Sequence, residues 1–138
     1  MGAQEGRIIA VDTNIIVRFV VRDDEAQAQK ARALLENRVF LAASVLMESE
    51  WVLRSSYSFG RGSIADTFDR LCGLASIVLE QPAVVRRAID AYRKGLDFAD
   101  ALHVLTADAA RADRFLTFDA ALIKNARKLT RLMRIERP

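Results

Sequence analysis

One cysteine, one histidine and two prolines stand among 138 residues. Cys72 alone can form neither an internal disulfide nor a cysteine-based zinc site. Flanked by Leu71 and Leu74, it reads as a small core residue. Pro82 and Pro138 delimit no linker, and no Pro/Gly tract, repeat or low-complexity segment divides the chain. The longest stretches without a charged residue, Val39–Met47 and Leu71–Leu79, have nine residues each and are too short to span a bilayer. Met1–Gly6 contains no apolar core of a signal peptide. A single cytoplasmic domain covering residues 7–137 is therefore expected.

A large excess of one charge is also missing: 21 Lys+Arg face 18 Asp+Glu, a net of +3. That balance is compatible with a nucleic-acid partner without demanding one. The excess is concentrated at the end of the chain, where Lys124, Arg127, Lys128, Arg131, Arg134 and Arg137 meet only Glu136. Composition alone explains this as a solvated amphipathic tail. Apolar residues make up 51% of the chain, enough to build a core.

The apolar pattern alternates in period. Arg7–Val11 reads as a short, fully buried strand, followed by helical spacing over Asn14–Val21 and Asp24–Asn37. Val39–Ala43 is a second strand, and Ser44 is placed to cap a helix reaching Ser56. A Tyr57–Gly62 loop leads to a helix from Ser63 to Gly73, then to a strand at Ser76–Leu79. Pro82 opens a helix that Gly95 terminates, and Asp97–Ala112 is helical again. Phe115–Phe118 is a strand, Ala120–Lys128 a helix, and Leu132–Ile135 an edge strand. Strands alternating with helices predict the α/β class, with a parallel sheet covered on both faces.

Ligands of open α/β sheets gather beyond the C-terminal strand ends, so acids at those positions carry the most information. Asp12 and Asp119 each follow a predicted strand. Either would also serve simply as a helix N-cap. On the Ser44–Ser56 helix, Glu50 has Arg54 at i+4, which a surface ion pair explains. Glu48 has only Val45, Trp51 and Val52 at helical spacing, so its carboxylate either lies toward the core, in need of a metal, another cation or a proton, or snorkels to solvent at the helix end. Asp97 suits a helix N-cap, and Asp100, one turn in, sits among Leu96, Ala101 and Val104. His103, a further turn on, reads as a core histidine.

Asp12, Glu48, Asp100 and Asp119 thus lack an evident partner. If they converge, two such charges 4 Å apart cost roughly 4 kcal/mol at an effective dielectric of 20. Oxygen-only ligands suit Mg²⁺ or Mn²⁺, and such an ion activates water and stabilises a phosphate in transfer. Phosphodiester hydrolysis by that route requires no Ser, Cys or His nucleophile.

Four segments carry a resemblance: V-D-T-N-I at Val11–Ile15, L-M-E-S-E-W-V-L-R at Leu46–Arg54, D-F-A-D-A-L-H at Asp97–His103 and L-T-F-D at Leu116–Asp119. Together, in this order and spacing, they resemble the PIN-domain nucleases, and among these most of all the VapC toxins of toxin–antitoxin pairs. The resemblance implies a three-layer α/β/α fold with a central parallel sheet. It makes Asp12, Glu48, Asp100 and Asp119 the catalytic acids that bind Mg²⁺ or Mn²⁺. Thr13, Asn14 and Thr117 become accessory polar groups that orient them, and Asp97 an acidic accessory position beside the quartet. It also implies endoribonuclease action on tRNA or ribosomal RNA, a homodimer, and inhibition by a cognate antitoxin protein. One departure is Ala121, where many members carry a further acid, which favours a single metal ion.

Other readings make distinct demands. A haloacid-dehalogenase-type phosphatase needs a second Asp two residues after the first, where this chain has Asn14. A phosphoacceptor signalling domain needs an acceptor Asp after the third strand, and Val78–Glu80 offers none. A non-toxin PIN nuclease of RNA processing shares every motif above. A protein-binding module would use the same acids only as caps and solvated charges.

Overall fold

In the computed structural model, which describes residues 6–138, the first β-branched segment forms strand β1 (Ile9–Ala10) and Asp12 then opens helix α1 (Thr13–Val21). The chain groups into two compact units, one ending at Gln81 and the other spanning Pro82–Pro138. The first unit continues through α2 (Glu25–Leu35), β2 (Val39–Leu41), α3 (Ala43–Tyr57), α4 (Arg61–Cys72) and β3 (Ile77–Leu79). Its sheet has the order β1-β2-β3, with both ladders parallel and Val39 registered against Ile9 and Ile77.

Helices α1 and α2 pack on one another, as do α1 with α3 and α3 with α4. The apolar spacing read in the sequence supplies the core: Ile16, Val39, Leu41, Leu46, Leu53, Ile64 and Phe68 are fully buried. Cys72 is buried beside them, as expected. Strand β1 differs from expectation. It is two residues long, with Ile9 only half-buried and Ala10 exposed.

Helix α3 also starts differently from the expected Ser44 cap. Ala42 occupies the N-cap and offers no side-chain acceptor. The orphan N–H of Ala43 instead donates to Glu80 Oε1 at 2.8 Å. The Glu80 backbone N–H donates to the Leu41 carbonyl at 3.0 Å, which holds that carboxylate at the end of β2. A residue 37 positions away therefore performs the capping that the local sequence leaves undone.

The second unit comprises α5 (Pro82–Arg93), α6 (Phe98–Ala109), β4 (Arg114–Leu116), α7 (Ala120–Ala126), a 3₁₀ turn (Arg127–Leu129) and β5 (Arg134–Glu136). Strands β4 and β5 pair in parallel, Phe115 against Ile135. Gly95 ends α5 with φ of +118°, a conformation that favours glycine. Its N–H donates to Tyr92 O and the next N–H, of Leu96, to Ala91 O, the two bonds of a Schellman stop. The chain reverses there, and α5 packs on α6. Tyr92 and Phe98 meet edge to face across the turn, with ring centres 5.6 Å apart.

A core of Val104, Leu122, Ile123, Ala126, Met133 and Ile135 joins α6, α7 and β5. The expected strand ends retreat: Phe118 lies past β4 at 77% exposure, and Leu132 precedes β5 at 93%. His103 is exposed on α6, which corrects its reading as a core histidine. Leu102, Val104 and Leu105 take the buried face of that helix instead.

Because Glu80 caps α3 from outside the helix, Glu80→Ala is expected to destabilise the protein by about 1 kcal/mol, the usual value of a lost cap. Urea denaturation of the variant beside the parent chain measures it.

Candidate active site

Asp12 joins β1 to α1 and uses one oxygen as a cap, Oδ1 accepting the Thr13 N–H at 2.8 Å. The rest of its carboxylate is exposed. Thr13 is 6% exposed, and its Oγ1 has no hydrogen-bond partner among the described residues. Asp12, Thr13, Asn14 and Glu48 line a cavity of about 320 Å³ together with Arg18 and Tyr57. The first unit thus gathers two of the predicted acids and two of the predicted accessory groups around one cavity.

Of the two α3 glutamates, Glu48 takes the solvent-facing one of its two expected placements, and Glu50 leaves the surface expected for it. Glu48 is exposed and faces the cavity, not the core. Glu50 is the buried acid, 4% exposed, and accepts from Arg54 Nε at 2.7 Å. The buried stripe of α3 is Leu46, Ser49, Glu50 and Leu53. Glu50 lies at i+4 from Leu46 and i−3 from Leu53, so the helical stripe carries it inward. The apolar neighbours of Glu48 are less buried than its spacing suggested: Trp51 is 58% exposed. Arg54, committed to Glu50, is a structural partner.

Arg18 projects from the last turn of α1 and is held on two sides. Its Nη1 donates to Asp23 Oδ1 at 2.6 Å and to the Tyr57 hydroxyl at 3.4 Å. Tyr57 in turn donates to Asp23 Oδ2 at 3.2 Å. The Arg18 hydrogen bond is the main reason that the Asp23 carboxyl titrates below its ordinary value, with burial opposing it. Tyr57 and Asp23 were not recognisable in the sequence as neighbours of Asp12 and Glu48. Their 34-residue separation leaves no local signal.

In the second unit Asp97 caps α6, its Oδ2 accepting the Asp100 N–H at 3.0 Å. Asp119 caps α7 through Oδ1 and the Leu122 N–H at 3.1 Å. Thr117 Oγ1 accepts the Asp119 N–H at 3.0 Å, so it does steady the residue that it was expected to orient. Asp100 is partly buried and caps nothing. Burial first, and then the charges of Asp97 and Asp119, push its carboxyl above the ordinary value of 3.8, while His103 only moderates the shift. The second unit therefore brings Asp97, Asp100 and Asp119 within electrostatic reach of one another.

Comparison with protein families finds the PIN domain over residues 9–128. The chain belongs to the PIN-domain family. With seven α-helices and parallel strands among the described residues, membership assigns the three-layer α/β/α class expected from the sequence. PIN domains are typically metal-dependent nucleases, so membership supports a nuclease. Neither the comparison with curated proteins nor that with solved structures returned a match. No helix among the described residues is long and apolar enough to cross a membrane.

No three His, Cys, Asp or Glu side chains among the described residues are already gathered as a metal site. The donor chemistry nevertheless fits a hard divalent ion. Asp12 and Glu48 offer carboxylates to one cavity, beside the unpartnered Thr13 hydroxyl. Asp100 carries a repulsion that no cation of its own unit cancels.

Two consequences concern the metal-free protein. Because the Asp100 carboxyl is raised, the folded chain binds more protons than the unfolded one between 3.8 and that raised value, and stability falls as pH climbs through the window. Asp100→Asn is expected to raise Tm at neutral pH in EDTA, with the advantage shrinking below pH 3.8. Thr13→Val, which removes an unpaired buried hydroxyl, is expected to add about 1 kcal/mol. Thermal melts at several pH values check both.

Asp23 has the opposite sign. Its stabilising contribution is complete above 3.8 and is lost as pH falls through its depressed folded value. The stability gap between the parent and Asp23→Asn is therefore expected to be open at pH 6 and to close in acid, as read by urea titrations.

Proposed function

We propose that this PIN-domain chain is a divalent-metal-dependent endoribonuclease, a VapC-type toxin that cleaves structured RNA such as tRNA or ribosomal RNA. In this reading it acts in the cytoplasm as a homodimer and is inhibited by a cognate antitoxin. The observation that carries the reading is Asp100, whose carboxyl is raised by burial and by two neighbouring acids at the start of α6 and α7. A carboxylate kept at that cost is explained by a cation it serves.

Asp12, Glu48, Asp100 and Asp119 are the proposed holders of one Mg²⁺ or Mn²⁺. When bound, that ion would offset phosphate charge and assist ionisation of the attacking water. Asp12 contributes the carboxylate oxygen that its capping bond leaves free. Thr13, whose buried hydroxyl has no partner among the described residues, lines the same cavity. Thr117 keeps the backbone of Asp119 in place, and Asp97 does the same for Asp100. Arg18, braced by Asp23 and Tyr57, presents a fixed positive charge to an incoming phosphate. Arg22, an exposed residue at the C-cap of α1, supplies a second. Ala121 occupies the first turn of α7 without a ligand, consistent with one ion.

A PIN nuclease of RNA processing uses the same residues, and substrate identity separates it from a toxin. Purified chain is expected to cut total tRNA or ribosomal RNA with Mn²⁺ and not with EDTA. Asp12→Asn and Asp100→Asn are each expected to lower the rate by at least a hundredfold while remaining folded. Full activity in both variants would overturn the assignment. No Mn²⁺-induced rise in Tm, together with no cleavage, would favour a binding module.

A further inference from the structure

Cations from α5, the 3₁₀ turn and the segment after it surround Asp108 at the C-terminal end of α6. A cavity of about 470 Å³ opens there, lined by Arg87, Asp108, Lys128, Leu129, Arg131 and Leu132. A second cavity shares Arg131 and adds Arg127 and Arg134, within the same unit. Arg87 is the fixed wall: it donates to the Leu129 carbonyl and lies 3.5 Å from the Asp108 carboxylate, which ties the 3₁₀ turn to α5 and α6. Arg134 is paired with Glu136 at 3.4 Å.

Arg127, Lys128 and Arg131 are different. All three are exposed, and none has a hydrogen-bond or ion-pair partner among the described residues. They lie on adjacent turns of the chain, where like charges repel. Arg127 and Lys128 lie on the 3₁₀ turn that Arg87 ties down at Leu129, and Arg131 follows two residues later.

Position decides what such a group can bind. Asp108 is eight residues beyond Asp100 on α6, or about 12 Å at 1.5 Å per residue. That exceeds the screening length of about 8 Å at physiological salt, so the acids at the start of the helix act only weakly on the cavity around Asp108. A polyanion with a regular repeat can engage both ends of α6. A single strand carries one phosphate per nucleotide and covers that span in a few nucleotides. A peptide partner would call for an apolar floor, and this lining offers only Leu129 and Leu132.

We propose that the Arg87–Lys128–Arg131 cavity is an exosite for the RNA phosphate backbone, engaging it a few nucleotides from the bond that is cut. The proposal rests on the endoribonuclease reading for its substrate, but it is tested by binding alone. The probe is a fluorescein-labelled 20-nucleotide single-stranded RNA. Its affinity for full-length Asp12→Asn protein is measured by anisotropy in EDTA from 50 to 300 mM salt.

Adding Lys128→Glu and Arg131→Glu is expected to weaken binding at least tenfold at 100 mM salt. It is also expected to reduce the slope of log K against log salt by about 1.4, or 0.7 for each lost phosphate contact. The milder pair Lys128→Gln and Arg131→Gln should give the same slope change, and Lys128→Arg with Arg131→Lys should restore affinity. Lys30→Glu with Arg32→Glu on α2 makes the same change of net charge elsewhere and is expected to shift affinity less than threefold. Equal losses from both charge-reversed pairs, or an unchanged slope, would overturn the exosite. So would loss of poly-glutamate binding with RNA affinity intact, which would assign the cavity to an acidic protein segment. If the parent chain cuts no RNA and gains no Tm with Mn²⁺ but the Lys128/Arg131 effects appear, the cavity stands as an RNA-binding site and the nuclease reading falls.

Discussion

The interaction on which the acid-bearing turns depend is the pairing of carboxylates with helix N-termini, set in the second unit against repulsion among Asp97, Asp100 and Asp119. Asp12, Asp97 and Asp119 each accept a backbone N–H at the start of α1, α6 or α7. Those positions combine unpaired N–H groups with the positive end of the helix dipole. Each aspartate spends one oxygen on its helix and keeps the other available. Capping is therefore compatible with the ligand role proposed for Asp12 and Asp119. Asp100 has no such support, and its raised carboxyl records the repulsion that remains.

Helix α3 shows how a single register decides which acid serves the core and which the cavity. Glu48 and Glu50 are two residues apart, about 200° around the helix. The stripe defined by Leu46 and Leu53 carries Glu50 inward, where Arg54 offsets its desolvation. Glu48 is left on the face that lines the cavity with Asp12 and Thr13. The helix is held at its start by Glu80 from β3's end of the sheet, so the position of Glu48 is coupled to strand order as well as to its own sequence.

Charge of opposite sign is distributed along α6 and its neighbours. Acids collect at the strand-to-helix junctions and cations at the turn after α7. Arg87 has little role in that charge display but a clear one in its geometry, because it fixes the turn that carries Lys128. The small net charge of the chain conceals this separation.

The sequence by itself determined the α/β class, the order of the elements and the four acid-bearing motifs. These rest on periodicity and on residues at strand ends, which are local properties. It also predicted the stop at Gly95, because only glycine readily takes that backbone conformation. Tertiary structure alone decided that Glu50 and not Glu48 is buried, since the orientation of a helix depends on what packs against it. It also decided the cap from Glu80, the exposure of His103, and the brace of Arg18 by Asp23 and Tyr57. Each of these joins or sorts residues through packing between elements, and no local pattern encodes which surface an element will meet.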